Sequence, residues 1–165
     1  MLRRFVQRVH INIACFPART RASTRENICK KATPEKRYIG SSGRRYLAQQ
    51  VLRHIPPQCV YLATSGQQKY VIKEPRFSTK DYDYQIAMYQ DLDGSQYIRL
   101  LRDTDPDKKW YALDWCSETL LALVPRASLS PKTKKTILRD ILRGIAELHA
   151  KHIVHAGRHH TVVAA

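Results

Sequence analysis

The residue most in need of a chemical explanation is Lys73, which closes the apolar run Tyr70-Val71-Ile72. An ammonium set into an apolar strand is costly unless something pairs with it. A bound phosphate is one such partner; an edge-strand lysine reaching back to water is the other reading. Five histidines, His149, His152, His155, His159 and His160, stand close together, and two of their spacings are three residues. That spacing can set ligands on one side of a helix. No cysteine or carboxylate joins them, so ordinary structural placement outweighs a zinc site. Cys15, Cys29, Cys59 and Cys116 include no pair with metal or redox spacing, which fits a reducing, intracellular setting. There is no G-x-S-x-G elbow, no locally supported Cys/His pair and no dinucleotide fingerprint. A hydrolase or dehydrogenase therefore has nothing to stand on.

These residues need elements to position them. Residues 46–53 read as a strand, stopped by Pro56-Pro57, which lack the N–H that a ladder needs. Residues 59–63 and 69–73 are rich in strand formers and flank Ser65-Gly66, so they read as a hairpin. Residues 80–92 fit a helix with Tyr82, Ile86, Tyr89 and Leu92 near one face, closed from beyond its end by Gly94. Residues 97–101 and 110–115 read as two further strands, with the acidic stretch 103–107 as the turn between them. Residues 118–124 suggest a short apolar helix. The strongest local signal follows: Ser130 caps a helix, Pro131 takes its first position, and Ile137, Leu138, Ile141, Leu142, Ile145 and Leu148 recur at helical spacing.

The 165-residue chain carries 29 Lys+Arg against 14 Asp+Glu, a net charge of +15. The excess sits in the flanks: +8 over residues 1–37, +1 over 38–125 and +6 over 126–165. A nucleic-acid binder more often has a basic stripe with aromatics across its folded middle. A nucleic-acid or membrane-surface function is therefore the lesser reading, and no specific nucleic-acid partner is expected. With 43% apolar residues a packed core is within reach, and no apolar stretch is long enough for a transmembrane segment. The first 25 residues hold six arginines and no acid. They read as a mitochondrial transit segment or as a disordered basic leader.

The order of elements, with certain residues in certain places, resembles the amino-terminal part of a eukaryotic protein kinase domain, most like the divergent kinase-like domains of filamentous fungi. Val60-Tyr61-Leu62-Ala63 resembles the V-Y-x-A of the second kinase strand. Tyr70-Val71-Ile72-Lys73 resembles the V-A-I-K of the third, whose lysine holds the α/β-phosphates of ATP. Leu113-Asp114-Trp115-Cys116 falls where the fifth strand enters the hinge, with Leu113 at the gatekeeper place. Residues 137–149 resemble the long first helix of the large lobe, and Ile153-Val154-His155 the approach to the catalytic loop. The resemblance implies an α+β fold: an antiparallel N-lobe sheet with one flanking helix (46–115), a hinge (114–117) and a partial C-lobe (118–155). Around it lie a leader (1–37) and a tail (156–165). It implies nucleotide, ATP, as ligand, with Lys73, Val60, Ala63, Leu113, Asp114 and Cys116 lining its site.

The departures from the kinase pattern bear on activity. Residues 53–58 (RHIPPQ) stand where a glycine-rich loop belongs and contain no glycine. The helix glutamate that pairs with the strand lysine is Gln85 here, with Asp83 as a weaker substitute on another helical face. After His155 comes AGRHHTVVAA, which has no carboxylate or asparagine to orient a hydroxyl or hold magnesium. The expectation is a chain that binds ATP weakly or not at all, holds no magnesium and does not transfer phosphate. A pseudokinase-like role is the companion expectation, with another protein docking on the exposed long helix of the large lobe. The compartment implied is cytoplasmic or nuclear, with mitochondrial import as the alternative that the arginines raise.

Overall fold

Strand formers alternating across two turns dictate the centre of the molecule. The computed structural model describes residues 8–10, 36–55, 58–75, 78–120, 129–154 and 162–164. Within them, β1 is Arg8–His10, β2 Arg37–Ile39, β3 Arg45–Ile55, β4 Gln58–Ser65 and β5 Gln68–Glu74. Helix α1 spans Thr79–Asp91; β6 is Leu101–Asp105, β7 Trp110–Asp114 and β8 Glu118–Thr119. Helix α2 spans Pro131–Ala150, and β9 is Val162–Ala164. The described chain divides into two compact units. One holds residues 36–90 and 101–115, and the other holds 8–10, 91–100 and everything from Cys116 onward.

The first unit is α+β: a six-stranded antiparallel sheet in the order β2-β3-β4-β5-β7-β6, with α1 against it. This is the architecture that the kinase resemblance implies. The β4–β5 ladder runs without a slip from Cys59↔Glu74 to Ser65↔Gln68, so its alternation assigns each side chain a face. One face gathers Tyr38, Tyr46, Ala48, Ala63, Tyr70, Ile72, Trp110 and Ala112 into an aromatic core. Tyr38 and Tyr46 meet Trp110 edge-on at 5.1 and 5.8 Å, and Tyr46 meets Tyr70 at 5.2 Å, the geometry that ring quadrupoles favour. Burial pushes the Tyr38 and Tyr46 hydroxyls well above the usual tyrosine range, aided by the carboxylates of Glu74 and Asp103 respectively.

In the first unit two features depart from the expected strands. The acidic stretch read as a turn is mostly strand: β6 covers Leu101–Asp105, and the turn falls at Pro106–Lys109. Asp103 is buried because donors surround it. Tyr46 donates its hydroxyl at 3.0 Å, and the backbone N–H groups of Ser42 and Thr104 donate at 3.2 and 3.0 Å. The Ser42 hydroxyl donates as well. Asp105 is the residue that shapes the turn, accepting from the N–H groups of Asp107 and Lys108. The other departure is that the sheet begins before residue 46, with β2 joined to β3 through the expected loop Gly40-Ser41-Ser42-Gly43.

Helix α1 matches the predicted helix closely. Ser78 accepts from the N–H of Asp81 at its start, and Gly94 sits at φ 81° just past its end. Tyr82, Gln85, Met88 and Tyr89 are its buried residues, and Tyr89 meets Tyr111 of β7 at 5.7 Å.

In the second unit Ser130 caps α2, accepting from Thr133 N at 3.1 Å, with Pro131 at the first helical position. The segment before β6 is anchored here rather than in a strand: Ser95 donates its hydroxyl to Glu147, and Arg143 donates to the Tyr97 hydroxyl at 3.0 Å. Stretches read as leader and tail each supply a strand, since β9 pairs with both β1 and β8. Of the helix expected at 118–124, Glu118 and Thr119 form β8 and Leu120 is helical, while residues 121–128 lie outside those described. No described helix is long and apolar enough to cross a membrane.

Candidate functional site

The sheet face opposite the aromatic core carries Lys73. In register, Lys73 stands across from Val60 on one side and Tyr111 on the other, while Val71 stands across from Leu62 and Leu113. Registered partners in an antiparallel ladder share a face, so Lys73, Val60, Leu62, Val71, Tyr111 and Leu113 form one surface. Val71, Tyr111 and Leu113 are buried, and Lys73 is half-buried. Its ammonium lies 5.8 Å from the centroid of the Tyr111 ring, a cation–π distance. The strand that holds it is interior, flanked by β4 and β7, so the edge-strand reading of Lys73 does not apply.

Of the six residues assigned to the site from sequence, Lys73, Val60 and Leu113 come together. Ala63 stands three residues from Val60 and therefore on the other face, fully buried in the aromatic core. Asp114 is registered with Tyr70, also away from Lys73. It forms a two-pronged ion pair with Arg102, at 2.8 Å from Nε and 2.7 Å from the terminal nitrogen. Cys116 is buried, just past the point where the chain passes from the first unit to the second. The sequence reading missed Val71 and Tyr111, although period-two alternation from Lys73 gives Val71 directly.

Helix α1 supplies the last candidate. Gln85 is buried at 2% exposure whereas Asp83 is exposed, so Gln85 occupies the inward position. Its Oε1 accepts no hydrogen bond, an unusual state for a buried carbonyl oxygen. Pro56 and Pro57, in the stretch that stands for the glycine-rich loop, lie outside the described residues. Neither can offer an N–H to a phosphate. Among the described residues no cluster of His, Cys, Asp or Glu is suited to a metal. His149 lies in the last turn of α2, and His152 takes a left-handed conformation at φ 58° just after it. His155, His159 and His160 lie outside the described residues.

No protein-family model and no curated protein matches the chain. Among solved structures the chain is similar to vaccinia related kinase 3, with a TM-score of 0.48 and 15% sequence identity. The match covers 74% of this chain and 44% of that one, so the chain spans less than half the length of that structure.

Proposed function

We propose that this chain is a protein-kinase-like module that binds ATP weakly, through Lys73, and does not transfer its phosphate. The observation that supports the reading is the shared sheet face. Lys73 on an interior strand, beside Val60, Val71 and Leu113, offers one cation for phosphate and an apolar strip for a purine ring. Phosphoryl transfer depends on positioning and charge neutralisation, and this chain is poor in both. Residues 53–58 carry two prolines and no glycine where backbone N–H donors are needed, and Gln85 cannot neutralise Lys73. The test is incubation of the chain with labelled ATP, magnesium and a generic protein substrate. Label transfer no greater than that of a Lys73→Ala variant is expected, and transfer clearly above that variant refutes the inactivity.

A second reading, a protein-interaction module, is favoured by α2. Leu138 and Leu142 are 60% and 65% exposed and lie among Lys135, Arg139, Arg143 and Ala146 on a single groove-lining face. Exposed apolar residues grouped in this way mark association surfaces more often than isolated ones do.

A further inference from the structure

Strand pairing brings together two groups that the sequence keeps apart. The β3–β4 register sets His54 and Cys59 directly opposite each other, one rung in from the last pair, Ile55↔Gln58. Cys59 Sγ lies 3.1 Å from His54 Nδ1, and the contact is held by a backbone ladder as well as by two rotamers. We propose that this pair is a nucleophilic thiol–imidazole site that undergoes thiol–disulfide exchange with small disulfides, giving the hairpin a reversible mixed-disulfide mark.

The chemistry follows from the contact. The thiolate, not the thiol, attacks sulfur, and an imidazole at hydrogen-bond distance takes up the thiol proton and holds the thiolate beside a positive charge. The Cys59 sulfur then bonds to one sulfur of the disulfide as the S–S bond breaks. The other half leaves as a thiolate and takes a proton, from His54 or from water. Cys59 is thereby oxidised to the disulfide level, and half of the reagent is reduced to a thiol.

Access and charge agree with this. His54 is exposed and Cys59 is partly so. Glu74 faces Cys59 from β5, and a free carboxylate there would oppose a thiolate. It is instead engaged by Lys36 and by the Tyr38 hydroxyl, the latter at 2.9 Å. Cys116, by contrast, is buried, and buried thiols are inert.

The test incubates the full chain at neutral pH with glutathione disulfide, folded and in denaturant. Mass spectrometry follows the Cys59 peptide, with the Cys116 peptide as an internal control. In the folded chain Cys59 is expected to form the mixed disulfide at least about tenfold faster than in the denatured chain, with Cys116 slower when folded. His54→Gln is expected to bring Cys59 down to its denatured rate while leaving circular dichroism unchanged. A folded advantage below tenfold, or a His54→Gln variant as fast as the parent, overturns the proposal. Should that variant not fold, the folded-against-denatured comparison of the parent decides alone.

Discussion

Tyr82 shows how one buried hydroxyl ties α1 to the sheet and gives the fold a pH limit. It donates to the carbonyl of Trp110 at 2.9 Å and to that of Asp105 at 3.2 Å. Burial, with the Asp105 charge second, pushes it from its ordinary 10.0 up to about 12. The folded state thus prefers the neutral phenol. That stability is fully present below pH 10 and is lost as the pH rises through 12. Tyr82→Phe is expected to cost about 1 kcal/mol at neutral pH, from the lost hydrogen bonds. It is also expected to flatten the alkaline part of the stability curve. Urea melts of both proteins from pH 8 to 12 check this, and parallel curves would contradict it. Ala63 makes a related point about what sequence shows at this scale. A four-letter strand motif places Val60 and Ala63 in one string, but an extended backbone sends residues three apart to opposite faces, so only half of such a motif can line any one site.

At the scale of elements, β2 and β6 stand at opposite ends of the sheet order, yet Asp103 stitches their surroundings together. Its carboxylate binds the Ser42 loop and Tyr46, and Gly40 approaches so closely that an added Cβ would lie 2.0 Å from Asp103 Oδ2. Curvature of the sheet explains how end strands can share a carboxylate, helped by the two register irregularities in β3. Asp103→Ala leaves the buried Tyr46 hydroxyl and the N–H groups of Ser42 and Thr104 without their acceptor and is expected to lower stability by about 2 kcal/mol in chemical denaturation, with Asp103→Asn costing less. A loss below about 0.5 kcal/mol, the spread of neutral surface changes, would show that the carboxylate does not organise the loop. The same residue explains the misread turn: two aspartates near a proline signal a loop, and only long-range donors from residues 42 and 46 reveal that Asp103 belongs inside a strand. By contrast, α1, the β4–β5 hairpin and α2 were legible, because caps, Gly94, Ser130-Pro131 and hydrophobic spacing are local signals. The His54–Cys59 contact was hidden for the opposite reason. It depends on the pairing register at the hairpin, which neither residue type announces.

For the whole chain, the apolar stripe of α2 is less bare than its sequence suggests. Ile137 and Leu148 are buried and Ile141 and Ile145 half-buried, leaving Leu138 and Leu142 exposed. Each forgoes roughly 1.5–3 kcal/mol of burial, so self-association at high concentration is expected in sedimentation. Leu138→Gln with Leu142→Gln is expected to weaken it, whereas a parent chain that stays monomeric and binds no apolar dye contradicts the prediction. The functional account, however, stands on Lys73, and a titration of the chain with ATP, followed by nuclear magnetic resonance shifts, tests it most directly. The account predicts saturable shifts in residues of β4, β5 and β7 on the Lys73 face, with affinity weakened about tenfold or more in Lys73→Ala, the loss of one charge-assisted contact. Identical titrations of the two proteins, or shifts confined to residues elsewhere, would contradict it.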